Sequence, residues 1–274
     1  MEFRQQESGG ARSSKAKVST PASSLDWLVK NVVPAAALGV WFGESPAYKS
    51  FLALDLAFSV AHGRAWSGHD ISPGSVIYIA GDNHRNFMRA EAWHRARGLK
   101  PRDADLIHVD WLPLAAPASI KTVVDAAAEL NHPPGLIVVD GLSQLFGGTE
   151  DSRDAVTQNF RALRREFCDR FGSAVLIVHH SGHRDRHRPR GSAAISAESD
   201  FVYQVRGWNF SHHFRVDLVK RKGDFEPPAL QFDLETIELR RDEDGDPVST
   251  LTPKWRGANP GPVWARYGVG VGNP

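Results

Sequence analysis

Residues 38–56 read LGVWFGESPAYKSFLALDL, and the reading of this stretch decides the fold. Leu38, Val40, Trp41 and Phe42 form an apolar run of strand type, Gly43 opens a turn, and Lys49-Ser50 begins a segment with apolar residues at helical spacing. Gly43, Lys49 and Ser50 stand at the spacing of G-x-x-x-x-G-K-[ST]. In such a loop backbone N–H groups wrap phosphates, the lysine reaches the β- and γ-phosphates, and the hydroxyl holds Mg²⁺. The candidate loop is Gly43, Glu44, Ser45, Pro46, Ala47 and Tyr48, continued by Lys49, Ser50 and Phe51. Tyr48 stands where the pattern has its second glycine, and a side chain there restricts positive φ and close approach to an anion. By itself the stretch equally fits a buried strand and an amphipathic helix joined by a turn that contains Lys-Ser.

Composition sets the frame around it. The chain has 274 residues, 41% hydrophobic and 24% charged, which is ordinary for a large soluble α/β domain. A formal net charge of +1 gives no global bias toward nucleic acid, so any basic surface must be local. A single cysteine, Cys168, excludes an internal disulfide framework, and a cytoplasmic compartment fits. No apolar run of about 18 residues occurs, so no membrane span is expected. The polar, Ser/Gly/Lys/Arg-rich stretch 1–24 is expected to be a disordered arm, and 255–274 a flexible Gly/Pro/Arg tail, on either side of one domain over 25–254.

Before the loop, residues 25–33 form a short amphipathic lead-in. After it come apolar strands that end in polar residues. SVIYIA (75–80) runs into Gly81-Asp82, where a carboxylate can activate water or cap the helix expected over 85–97. LIVVD (136–140) delivers Asp140 at a strand tip, the geometry for holding a metal-bound water beside a phosphate loop. AVLIVH (174–179) finishes in His179-His180, where a side chain can contact a γ-phosphate. Residues 146–157 read as a mobile loop and 158–170 as a helix. The segment GHRDRHRPRGS (182–192) carries Arg184, Arg186, Arg188 and Arg190, a flexible cationic loop suited to phosphate backbones. It holds no aromatic residue for base stacking, and its histidines have no Cys or Glu partner at zinc spacing. Strands over 200–205 and 214–219 form a hairpin that ends in Lys220-Arg221-Lys222, and 230–240 reads as a closing edge strand.

Together these segments resemble the RecA-type ATPases of phages and plasmids, the AAA family group that includes plasmid RepA-type hexameric helicases and is related to DnaB-type motors. The resemblance covers about residues 25–240. It rests on the phosphate-loop segment, VIYIAGD, LIVVDGLSQLFGG, VLIVHHSGH, RGSAA and VKRKGD, in the family's order. It implies a RecA-like P-loop NTPase core, an α/β fold with a mainly parallel twisted sheet flanked by helices and antiparallel strands at the C-terminus. It also implies ATP and Mg²⁺ as cofactors, with Lys49 on phosphate, Ser50 and Asp140 at the metal, Asp82 orienting water and His180 as a strand-tip sensor. Lys220 and Lys222 fall where related motors act in trans on a neighbour's ATP, and Arg190 falls in a DNA-facing loop.

The resemblance therefore implies a DNA-dependent ATPase of a phage or mobile element, a replicative helicase or a replication or recombination accessory. Its expected partners are single-stranded DNA, other copies of itself in a hexameric ring, and replication or recombination proteins. Three residues depart from the family pattern: Tyr48 for glycine, Asp82 for a longer glutamate, and Lys222 for an arginine with its bidentate fork. These departures favour one alternative, a pseudo-ATPase that binds or loads single-stranded DNA. A P-loop small-molecule kinase is the other.

Overall fold

The computed structural model describes residues 26–45, 47–80, 83–101, 104–110, 112–142, 146–183, 185–207, 211–223 and 226–259. The expected arm over 1–24 lies outside the described residues, as do Pro46, Asp82 and Arg184.

The lead-in is a small antiparallel hairpin, β1 (Trp27–Val29) and β2 (Val33–Pro34), turned at Asn31 with φ 61°. Then come β3 (Leu38–Gly43) and α1 (Lys49–Ala61), the strand and helix expected around the loop. The chain continues through β4 (Ser75–Ala80), α2 (Asn83–Arg97), β5 (Leu106–Val109), α3 (Pro117–Ala127) and β6 (Pro134–Asp140). Helix α4 (Arg153–Leu163) widens into a π-type turn over Arg164–Asp169 and leads to β7 (Ala174–His180). Last are α5 (Ala194–Glu198), β8 (Phe201–Gly207), β9 (His213–Arg221), β10 (Ala229–Arg241) and β11 (Pro247–Asn259).

Nine strands form one sheet in the order β11-β10-β9-β8-β3-β7-β6-β4-β5. From β8 to β5 the pairings are parallel, and β8-β9-β10-β11 is an antiparallel meander, so the mainly parallel core with C-terminal antiparallel strands is observed. Side chains alternate across the parallel strands. Val76 and Tyr78 join one core beneath α1, while Ile77 and Ile79 join a second core beneath α3 and α4. Burial on both faces is why these strands read as unbroken apolar runs.

Helix α1 is enclosed on nearly every side, because the β10-β11 hairpin folds over the face that the sheet leaves open. Its polar residues therefore need internal partners. Ser59 Oγ donates to Asp55 O at 2.7 Å. Asp55 accepts from Trp66 Nε1 at 2.9 Å, Trp93 Nε1 at 2.7 Å and Arg97 Nη2 at 2.7 Å. Arg97 also donates to Thr252 Oγ1 and Pro253 O, which ties α2 and β11 to the centre of α1. Burial pushes the Asp55 carboxyl upward, opposed by Arg97 and the two indole donors. Gly63 follows α1 at φ 65°, the left-handed residue expected just past a helix end.

Three boundaries differ from the sequence reading. Residues 153–157, read as loop, belong to α4, because Ser152 Oγ accepts from Ala155 N and caps the helix there. Strand β10 is an inner strand, since β11 pairs along its outer side. Residues 255–259, read as the start of the tail, extend that ladder as far as Asn259, while 260–274 lie outside the described residues. Among the described residues no helix is long and apolar enough to cross a membrane.

Truncating Asp55 leaves the Arg97 guanidinium and two indoles facing an empty site. Asp55→Ala is expected to cost about 3–5 kcal/mol, the range for breaking a buried ion pair, with thermal unfolding as the measurement.

Candidate nucleotide site

The carboxyl ends of the parallel strands share one edge of the sheet, where open α/β folds place their ligands. Register fixes which residues meet there. Gly43 pairs with His180, Asp140 with Val178, and Ala80 with Asp140. The phosphate loop, the Asp140 tip and the His180 tip are thereby side by side, and the chain enters 81–82 from the same edge. Asp82 itself lies outside the described residues.

Lys49 is buried, with Nζ donating to Gly43 O at 3.1 Å and Glu44 O at 2.7 Å. Desolvation lowers its pKa to about 8, against the pull of Asp140 and Glu44. Ser50 Oγ donates to Asp140 Oδ1 at 3.1 Å, so a hydroxyl and a carboxylate from distant parts of the chain converge. Oxygen ligands of this kind, completed by waters and phosphates, suit Mg²⁺. Tyr48 provides no side-chain cap, so the first N–H groups of α1 are left for a ligand of the loop. A buried ammonium, helix N–H groups and a hydroxyl–carboxylate pair fit a Mg²⁺-nucleotide.

Tyr48 takes the left-handed conformation that the replaced glycine would take, φ 59° and ψ 21°. The substitution thus preserves the turn, and its steric cost is met by packing. The ring lies against Phe51 and Phe214, and its hydroxyl makes a long bond to Ser211 O at 3.4 Å. Gly43 is required for a different reason. A Cβ there would stand 2.1 Å from Val205 O of β8. Phe51 carries the Arg89 guanidinium 4.2 Å from its ring centre, a cation–π contact beside the loop. Ala47 is buried, and its N–H bonds Glu44 O at 3.0 Å.

The paired histidines divide. His179 is buried with Nε2 against Arg190 O at 2.8 Å, and burial lowers its pKa to about 4, so it stays neutral. His180 is exposed at the tip, its pKa lowered first by burial and then by the Lys49 and Arg190 charges. A cleft of about 490 Å³ lies beside it, bordered by Glu44, Ser45, His183, Arg186 and Arg190.

The cationic segment is tied down rather than flexible. Ser181 bridges Pro189, Gly182 N bonds Arg188 O, and Arg190 N bonds His180 O, which makes a small antiparallel turn. Gln204 Nε2 fastens its crown through Arg186 O at 2.8 Å. Arg186 pairs with Glu44 at 2.7 Å and Arg190 with the buried Glu150 at 2.7 Å, whereas Arg188 has a looser contact with Asp185 at 3.8 Å. Arg184 lies outside the described residues. Only the Asp185–Arg188 contact is local in the sequence; Glu44 and Glu150 lie far along the chain, which is why the segment reads there as a free cationic loop.

Lys220 and Lys222 are not at this edge. Register places them at the amino end of the parallel strands, Val202 facing Lys220. Lys220 Nζ donates to Ser196 O, Ala197 O and Ser199 O around the end of α5, and Lys222 pairs with Asp200 at 3.2 Å. The expectation of a pair placed to act in trans therefore changes for Lys220, whose ammonium is held by carbonyls of its own chain.

Sequence reasoning missed Tyr78. Its hydroxyl donates to Asp140 Oδ2 at 2.7 Å from a fully buried ring. Burial first, and then the Asp140 charge, raises its pKa well above the usual phenol range, so it remains a donor. The available signal was a phenol inside an otherwise apolar strand interior.

A family model described as an AAA domain, AAA_25, matches residues 7–186. Among curated proteins no match is found.

Two outcomes are expected here. Tyr48→Ala retains the left-handed strain and loses the ring contacts, so it should be less stable than Tyr48→Gly by about 1 kcal/mol in denaturant titrations. Phosphate binding favours the protonated Lys49, so nucleotide affinity should hold below pH 8 and fall as pH rises through its pKa of about 8, a trend read by titration calorimetry across pH.

Proposed function

Because the chain belongs to the AAA domain family of P-loop ATPases, we propose that it is an oligomeric, DNA-dependent ATPase of the kind typified by RepA-type helicases. The biological setting would be replication or recombination in a phage or mobile element. What supports this most is that Glu44 of the phosphate loop, whose carbonyl accepts from Lys49, borders the same cleft as Arg186 and Arg190 of the cationic turn. A polyanion on that turn is positioned to be felt at the loop, since Arg186 reaches Glu44 directly.

In this reading Lys49 exchanges its two carbonyl partners for phosphate oxygens, and the first N–H groups of α1 orient the same group. When bound, Mg²⁺ supplies neutralisation of phosphate charge, with Ser50 and Asp140 as the residues that would hold it. His180 stands at the strand tip, where it can contact the terminal phosphate as a donor or acceptor. Asp82 orients the attacking water by its place in the sequence. Arg186 and Arg188 hold the nucleic-acid backbone, with Arg190 confined by Glu150.

A pseudo-ATPase is the second reading, favoured by Lys49 being satisfied by its own loop and by Lys220 being bound within its own subunit. Steady-state ATP hydrolysis with and without single-stranded DNA separates the two. Turnover should rise with DNA and fall about 100-fold or more in Lys49→Ala, on the scale of losing a major phosphate-stabilising group. No turnover in either protein would sink the motor reading. Single-stranded DNA affinity should weaken with salt, and Arg186→Ala together with Arg188→Ala should reduce the slope of log affinity against log salt by about 1–2. A small-molecule kinase has no reason to show that slope.

A further inference from the structure

Tyr78 sits in the middle of β4 with 0% exposure, stacked on His108 at a ring separation of 5.8 Å and an interplanar angle of 22°. In the parallel register it stands beside Val138, and Ala80 stands beside Asp140. Tyr78 is thus one pleat behind Asp140 on the same face of the sheet, and its phenol reaches forward along the strand to Oδ2. The other carboxylate oxygen, Oδ1, accepts from Ser50 Oγ. The terminal torsion of an aspartate is broad, so a single donor does not define the plane of the carboxylate. Two donors from different elements do. A phenylalanine would fill the same space without the cost of burying a hydroxyl, and among the described residues the phenol bonds the carboxylate that the phosphate loop needs.

We propose that Tyr78 is a positioning residue: its hydroxyl holds Oδ2 of Asp140 so that Oδ1 stays turned toward Ser50, which tunes the affinity of the site for the divalent cation of a nucleotide complex. The proposal rests on the ATPase reading and adds to it a residue that acts through Asp140 rather than on the nucleotide. Tyr78 is rigid because the ring is packed between α1's core and His108, so its effect is geometric.

The test is binding of a fluorescent, non-hydrolysable ATP analogue to the full chain, first without divalent ions and then across a Mg²⁺ titration. Tyr78→Phe keeps the ring and removes only the oxygen. It should leave binding without Mg²⁺ unchanged and raise the Mg²⁺ concentration for half-maximal enhancement about tenfold, the scale of one hydrogen bond to a charged group. Asp140→Asn should raise that concentration as well, and adding Tyr78→Phe to it should change it by less than about twofold, because the two act as one unit. A Mg²⁺ midpoint that stays within about twofold in Tyr78→Phe, with only a lowered unfolding temperature, would overturn the proposal and leave Tyr78 a packing residue. If the natural protein binds the analogue with no Mg²⁺ dependence, the ATPase reading fails and takes the proposal with it.

Discussion

The enclosure of α1 is the constraint on which the rest of the structure depends. A helix with Lys49 and Ser50 at its start must touch the sheet on one side, and here the β10-β11 hairpin closes the other. An acid at its centre is tolerable only because Trp66, Trp93 and Arg97 converge on Asp55, and Arg97 in turn grips β11. The same set of bonds that satisfies one buried carboxylate therefore fixes the helix that aims Lys49 at the loop. The C-terminal strands are part of what holds the phosphate loop in place, although they lie well outside it.

Much of this was legible in the chain. The central parallel strands are buried on both faces, so 38–43, 75–80, 136–140 and 174–180 stand out as apolar runs, and the polar ends of the last two, Asp140 and His180, mark one edge of the sheet. Gly43, Lys49 and Ser50 stand at phosphate-loop spacing, Asp140 closes an apolar run, and the order of these segments joins them into one reading. What the sequence hid depends on partners distant in the chain. The Tyr78 bond to Asp140 joins positions separated by 62 residues, and it needs the β4-β6 register to be known. The ties of Lys220 depend on where α5 ends, and the continuation of β11 through 255–259 depends on β10 lying beside it rather than on its own composition.

Tyr48 shows why a motif departure and a structural departure are different things. The pattern asks for glycine because the backbone must turn left-handed, and the backbone does so with tyrosine at φ 59°. The strain, on the order of 1–2 kcal/mol, is comparable to what the two aromatic contacts of the Tyr48 ring with Phe51 and Phe214 contribute, about 0.5–1.5 kcal/mol each. The loop thus keeps the shape of its pattern while recruiting β9 as a support. The cationic turn makes the converse point. Its composition promised a free positive surface, but Glu44, Glu150 and Asp185 neutralise much of it internally.

The position of β3 between β7 and β8 has a consequence for how the protein is made. The strand that bears the loop leaves the ribosome well before either of its neighbours, which lie over 174–180 and 201–207. Long-range parallel pairings of this kind form slowly because a large loop must close first. Until residues near 207 have emerged, the strand is an apolar segment with two open edges, a species exposed to mispairing and to chaperones. Binding of nucleotide cannot assist the nascent chain at that stage, since the seat for it does not yet exist. The order of strands in space thus sets an order of events in time, with the chemistry assembled last.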